Sequence, residues 1–226
     1  MSRPASSPTA SLILRPESWV DPLPLLQIFP RQQPLEVELG SGDGSFLAAW
    51  AAQYPDRDFL GVERLLGRLR KLDRKACRQG LTNLRLLRIE ASYLLNYLLP
   101  AASVSTLHLY FPDPWPKRKH RKNRLVNADF PSAAARVLVP GGVVHLRTDD
   151  EDYFAQMRAM FGSASGFAET ETPVSLTSVI TDFERGFNAK GIVTRRASYT
   201  SMIGPPPGSG PPERGGPFPR CTEIRA

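Results

Sequence analysis

The stretch Leu109-Tyr110-Phe111-Pro112-Asp113-Pro114-Trp115-Pro116-Lys117 ends an apolar run in one acid, Asp113, set between two prolines and next to an aromatic. The prolines stiffen the loop and hold the carboxylate. Trp115 offers a ring face on which a base can stack, worth about 1–3 kcal/mol per base. Residues 117–124 then supply six Lys or Arg, a concentration that attracts phosphates. A carboxylate, a stacking surface and a basic patch in one loop suit chemistry on a nucleic-acid base, provided a cofactor site lies nearby. The competing structural reading is a rigid turn with Trp115 in the core and a solvated charge run.

A cofactor loop stands seventy residues upstream. Glu38-Leu39-Gly40-Ser41-Gly42-Asp43-Gly44 closes an apolar strand and opens a helical stretch. Ser45 occupies the position where the dinucleotide fingerprint needs glycine, and no Gly-Lys-Ser/Thr follows as a P-loop would require. The E-x-G-x-G-x-G pattern resembles the first motif of the class I S-adenosylmethionine-dependent methyltransferases. Their cofactor carries a sulfonium and an ammonium and no pyrophosphate, so an acid such as Glu38 is favourable there. Glu63, nineteen residues beyond Gly44, ends the second strand, where Rossmann-like folds present a carboxylate to ribose hydroxyls. Glu90 follows the third strand and is placed to accept from an adenine amino group. Each acid also has a structural reading: Glu38 and Glu63 as caps, Glu90 as a solvated residue.

The elements that must position these groups alternate. Strands are expected at Leu35–Leu39, Phe59–Val62, Asn83–Arg88, Val104–Tyr110 and Val143–Arg147, with two more near Phe167–Glu171 and Ile192–Tyr199. Helices are expected at Ser45–Gln53, Arg64–Gln79, Ser92–Leu98, Asn127–Val137 and Asp150–Phe161, with a short one around Pro24–Phe29. Strand–helix alternation implies βαβ units and a mainly parallel sheet. The expected fold is α/β: a Rossmann-like class I methyltransferase fold with a mostly parallel seven-stranded sheet and helices on both faces. Its ligand crevice would open at the switch point between the first and fourth strands. On the 64–79 helix, Arg64, Arg68, Lys71, Lys75 and Arg78 share one face, and Leu65, Leu69, Leu72 and Ala76 mark the buried face. That basic stripe is read either as an RNA contact or as a plain solvent face.

The 226 residues and 41% hydrophobic content fit one domain, and the net charge of +7 favours polyanions. The expected organisation is an irregular lead-in over 1–34 with residues 1–11 disordered, a methyltransferase domain over 35–203 and a flexible Pro/Gly-rich tail over 204–226. Cys77 and Cys221 read as free thiols. No signal peptide or membrane-spanning run is seen, so a cytoplasmic protein is expected. His108, His120 and His145 lack metal-ligand spacing. His108 and His145 read as hydrogen-bonded strand residues, and no metal is expected.

Together these motifs make the chain resemble the bacterial tRNA (guanine-N7)-methyltransferases. The resemblance spans about residues 35–200. It rests on Glu38–Gly44, Gly61-Val62-Glu63, the Phe111–Lys117 run with its basic extension, Thr148-Asp149 and Thr181-Asp182-Phe183-Glu184. The resemblance implies S-adenosylmethionine bound by Glu38, Gly40, Gly42, Gly44, Glu63, Glu90 and Asp113, with Asp113 as catalytic acid. It implies substrate contacts at Lys117, Asp149, Thr181, Asp182, Phe183 and Glu184, and guanine 46 of the tRNA variable loop as target. Glu90 stands where Asp or Asn is usual, and Asp182 where Lys or Glu is. Pro116 replaces a common His, so no proton-transfer role falls there. The resemblance is compatible with a monomer that needs no protein partner. The alternatives are an amino-group methyltransferase acting on ribosomal RNA or DNA, and an RNA-binding module without catalysis.

Overall fold

In a computed structural model, residues 11–202 are described. The Pro/Gly-rich tail, Cys221 and all but the last residue of the expected disordered start lie outside the described residues. Ser11 is ordered: its hydroxyl and the Leu12 amide bond to Asp73. The strands are β1 Leu35–Leu39, β2 Asp58–Val62, β3 Leu84–Leu87, β4 Val104–Tyr110, β5 Leu138–Thr148, β6 Phe167–Thr170 and β7 Arg195–Ser201. The helices are α1 Leu25–Ile28, α2 Leu47–Gln53, α3 Leu66–Arg78, α4 Ala91–Tyr93, α5 Phe130–Val137, α6 Glu151–Gly162, α7 Val174–Ser178 and α8 Asp182–Asn188. A π-helical turn, Leu94–Leu98, extends α4, and a 3-10 helix covers Arg118–Asn123.

The sheet order is β3-β2-β1-β4-β5-β7-β6. The first five strands are parallel, and β7 runs antiparallel to both β5 and β6. β1 therefore has β2 on one side and β4 on the other, which is the expected switch point.

β1 reads Leu-Glu-Val-Glu-Leu, and its period of two decides what each face of the sheet receives. Leu35, Val37 and Leu39 join the core with Phe130, Tyr153 and Phe161 of α5 and α6. Glu36 and Glu38 turn to the opposite face, beside the cluster formed by Phe46, Leu47 and Trp50 with Leu69 and Leu72. Helices thus cover both faces.

Several boundaries differ from expectation for identifiable reasons. β5 begins at Leu138, not Val143, because Pro140-Gly141-Gly142 forms an irregularity within the strand, where the β4 register shifts. α5 begins at Phe130, since Asn127 turns back and its side chain accepts from the Asp129 and Phe130 amides. Leu65 is the N-cap of α3 and 46% exposed, not part of the buried face. The lead-in is more ordered than expected. Ile13 bridges Leu86 in parallel, and Leu12, Leu23 and Phe29 are buried.

Candidate active site at the carboxyl ends of the strands

The register Glu38↔His108 aligns β1 and β4. The turn after β1 (Gly40 to Gly44) and the loop after β4 (Phe111 to Lys117) therefore emerge side by side, with strands about 4.8 Å apart. Gly40, Gly42 and Gly44 all have positive φ. The turn is held from the next strand: Glu63 accepts from the Gly42 amide (3.1 Å) and from the Leu65 amide (2.7 Å). Glu63 thus orders both the glycine turn and the entry to α3.

Glu38 is buried, and its Oε2 has no hydrogen-bond partner among the described residues; neither does the buried Ser41 hydroxyl. Burial pushes the Glu38 carboxyl up to about 8, and Asp43 and Glu63 push the same way against Arg147. An unsatisfied buried carboxylate beside an open glycine turn is costly unless a cation or donor reaches it. The site is therefore built for a small cation-bearing ligand. Glu36, two residues back, contrasts with it. Burial raises its carboxyl, but bonds from His108 (2.7 Å), Arg57 (2.6 Å) and Trp50 (2.8 Å) outweigh that and hold it at about 2. His108 bonds Tyr110 through its other nitrogen (2.8 Å). His145 bonds Ser198, and burial pushes it down to about 3. Both histidines are hydrogen-bonded strand residues. Among the described residues no cluster of His, Cys, Asp and Glu could hold a metal ion.

The reacting loop is stiffened by more than its prolines. Phe111 (φ 51°) and Trp115 (φ 45°) both adopt the left-handed backbone that side chains rarely take, and they bracket Asp113. Such strain persists only where surroundings over-determine it. Here the Phe111 amide donates to the Arg147 carbonyl, and its ring meets Phe183 and Phe187. On the other side Arg124 donates to the Pro114 carbonyl at 2.7 Å while bonding Gln156 and Asp152 of α6. Arg124 is 2% exposed, so it leaves the set expected to bind phosphate. Arg121 pairs with Asp152. Lys117, Arg118, Lys119 and Lys122 remain exposed, as does Asp113 itself. Trp115 is partly exposed, with its ring beside His120.

The third wall comes from the segment Thr181–Glu184. Thr181 and Glu184 form a capping box on α8. The Asp182 amide donates to the Ser45 hydroxyl at 3.1 Å, tying the segment to the end of the glycine turn. Phe183 is exposed; the Asp182 side chain pairs with Arg185. Glu184 is fully buried and bonds Arg147 (2.8 Å), Arg196 (2.6 Å) and its own cap amide. Both of its oxygens are engaged within the protein, so it orders this wall and faces no solvent. Asp149 is half-buried at the end of β5. The structure thus gathers Glu38, the three glycines, Glu63, Asp113, Asp149 and Thr181–Glu184 at one edge. Glu90 sits further off, after β3. It caps α4, accepting from Tyr93 N and the Ser92 hydroxyl, and lines a cavity of about 300 Å³ with Asn96, Asn123 and Phe130.

Residues 32–196 match the model of the family described as "Putative methyltransferase". The chain belongs to this family. It is 38% identical over 140 residues to the tRNA (guanine-N(7)-)-methyltransferase of Hydrogenovibrio crunogenus, covering 62% of this chain and 58% of that one. It is 40% identical over 156 residues to the protein of the same name from Methylococcus capsulatus, covering 68% of each. The chain thus spans about three fifths of the length of the first of these relatives. Among solved structures, the 16S rRNA methyltransferase KamB shares the fold with a TM-score of 0.57 at 17% identity, covering 79% of this chain and 94% of that one.

Two members of this methyltransferase site, Arg147 and Arg196, were not expected from the sequence, and Arg124 was expected only as one of the phosphate-attracting cations. The Thr-x-x-Glu spacing at 181–184 hinted at the first two, since it is the signature of a capping box and fixes where Glu184 must point. Gly44 is the most constrained position in the turn. A Cβ there would lie 2.1 Å from Leu72 Cδ1, on a backbone at φ 75°. Gly44→Ala is expected to cost about 2–4 kcal/mol, lowering Tm by roughly 5–15 °C in thermal unfolding. Gly42→Ala, with open space around its Cβ, should cost about 1 kcal/mol.

Proposed function

We propose that this protein transfers a methyl group from S-adenosylmethionine to N7 of a guanine in tRNA, at position 46 of the variable loop. The observation that carries this reading is the exposed Asp113, held on a strained loop directly alongside a glycine turn with a buried carboxyl group, Glu38, whose Oε2 lacks a partner among the described residues. The names of the relatives support the choice of base and atom.

The residues present fit the cofactor. Glu38 and the open glycine turn would hold its cationic end, with Glu63 ordering that turn, and Glu90 and Asp113 complete the proposed set. Bound there, S-adenosylmethionine supplies an electrophilic methyl group. Guanine N7 has an in-plane lone pair and carries no proton, so the protein need not deprotonate it. Its work is to align N7 behind the methyl carbon. Methylation leaves the ring cationic, and the Asp113 carboxylate is stabilising as that charge develops. Trp115 and Phe183, both exposed at the rim, offer faces for a base displaced from the tRNA stack. Lys117, Asp149, Thr181 and Asp182 are the proposed contacts to the rest of the nucleotide, and Glu184 holds Thr181 in place from beneath. A tRNA-modifying enzyme working in the cytoplasm as a monomer fits this reading.

Labelled S-adenosylmethionine with unmodified tRNA, followed by borohydride–aniline cleavage, tests it, because that chemistry cuts at 7-methylguanosine. Cleavage at the labelled site is the expected result. Label without cleavage would indicate an amino-group methyltransferase.

Glu38 yields a further prediction. With its carboxyl at about 8, the free protein keeps Glu38 protonated at neutral pH, and a cation docking against it favours ionisation. Cofactor binding at pH 7 should then release up to about one proton, and affinity should rise with pH until it levels off above 8. Calorimetry in buffers of different ionisation enthalpy measures this. Glu38→Gln should remove the proton release and weaken binding; release that persists in the variant would assign it elsewhere.

A further inference from the structure

The strongest charge on this molecule is not in the reacting loop. Between Arg64 and Arg88 lie seven Arg, two Lys and a single acid, Asp73, a net charge of +8 against +7 for the whole chain. Everything else sums to near neutrality. Arg64, Arg68, Arg70, Lys71, Arg74 and Arg78 are all exposed. None of the nine cations forms an ion pair among the described residues. Asp73, the one acid among them, accepts from the Ser11 hydroxyl and the Leu12 amide and pairs with none of the nine. The contrast with the β5-β7-β6 end of the sheet and its helix α6 is sharp: Arg147, Arg158, Arg195 and Arg196 each have a carboxylate partner.

An uncompensated helix of this kind carries a cost. Arg70 with Arg74, Lys71 with Lys75 and Arg74 with Arg78 stand one turn apart, and each like pair is destabilising by roughly 0.2–0.5 kcal/mol. A polyanion lying along the helix turns that repulsion into attraction. Leu69, Leu72 and Ala76 are fully buried, so α3 has no apolar face left to insert into a lipid surface. The preponderance of Arg suits forked contacts to phosphate oxygens. α3 is also connected to the site. It follows Glu63, its Leu72 packs under Gly44, and Lys75 reaches the Gly44 carbonyl at 3.5 Å. From that rim its thirteen residues run roughly 20 Å away.

We propose that α3, with Arg64 and Arg88 at its head, is the main surface on which the body of a folded RNA rests, while Lys117 to Lys122 hold only the nucleotides around the target. The inference deepens the proposed function, since it takes tRNA as the polyanion. It assigns most of the binding electrostatics to a helix that starts at the rim of the site and leads away from it.

The test uses the full chain with Arg68, Lys71, Arg74 and Arg78 changed together to Ala. Affinity for unmodified tRNA should fall at least tenfold at about 150 mM salt, and the slope of log Kd against log salt should flatten by about 2–4. Tm should not fall and cofactor affinity should stay within about twofold, because these side chains make no hydrogen bond or ion pair among the described residues. KM for tRNA should rise with kcat retained, and the four-Lys variant should recover binding. Changing Lys119, Arg121 and Lys122 to Ala should flatten the slope less. Unchanged affinity and slope in the α3 variant would overturn the proposal. So would loss of binding to vesicles of anionic phospholipid with tRNA binding intact, which would make α3 a membrane contact. If tRNA is bound through α3 but never methylated, the proposed reaction fails and this surface stands. If tRNA is methylated and the variant keeps its KM, this inference alone fails.

Discussion

Asp113→Ala should lower methyl transfer to tRNA by about two to three orders of magnitude while leaving cofactor affinity within about threefold and Tm unchanged. The Asp113 side chain makes no hydrogen bond or ion pair among the described residues, so removing it breaks nothing that holds the fold. The loop keeps its shape through Arg124 on the Pro114 carbonyl and Phe111 on the Arg147 carbonyl. What is lost is a fixed negative charge where the guanine ring becomes cationic. Single-turnover rates with saturating cofactor, set beside cofactor titration, separate the two quantities. Asp113→Asn sharpens the result: it retains hydrogen-bonding capacity without the charge. Recovery with Asn would mean that Asp113 orients the base, whereas a loss equal to that of Ala would mean that its charge acts on the transition state. Cofactor affinity falling as far as the rate would make holding the cofactor, not acting on the guanine, the main work of Asp113.

Much of this site could be read along the chain because its parts are local. Leu-Glu-Val-Glu-Leu followed by glycines at alternate positions states both a strand and the turn after it, and the proline-bracketed acid announces a stiff loop. What could not be read is what lies beneath. Arg124 belongs to a run of cations and looks like its neighbours, yet it is drawn inward because Asp152, Gln156 and the Pro114 carbonyl converge on it. That convergence depends on α6 packing against the loop, a contact between residues some thirty apart in sequence. The same holds for His108, whose partner Glu36 is seventy-two residues away. The left-handed backbone at Phe111 and Trp115 was equally hidden, since nothing in an aromatic side chain favours it. The α3 charge was visible as a stripe on one helical face. That it stays unpaired among the described residues, while the arginines of β5 and β7 are matched, emerges only once the acids of those residues have a place.

Glu184 tests whether the wall under the site is binding machinery or scaffold. Its carboxylate sits between Arg147 and Arg196 with no exposure, and Arg147 also donates to the Leu176 and Val179 carbonyls while its own carbonyl holds Phe111. Removing one partner from a buried ion pair leaves an uncompensated charge and costs about 3–5 kcal/mol. Glu184→Gln should therefore lower Tm by roughly 6–20 °C. It should also loosen both the α7–α8 segment and the Asp113 loop, because one residue anchors them together: the Arg147 guanidinium holds the segment and the Arg147 carbonyl holds Phe111. Hydrogen exchange in the amides of 111–117 and 174–188 should speed up in the variant even well below its melting point. If Glu184 instead contacts the nucleotide directly, Tm and exchange will stay as in the parent protein while KM for tRNA rises. Arg147→Lys separates the cases from the other side. It keeps the charge, but its three donors radiate from one nitrogen and lack the guanidinium fork that spans Glu184 and the two carbonyls at once, so a scaffold role predicts a partial loss of stability and of turnover together.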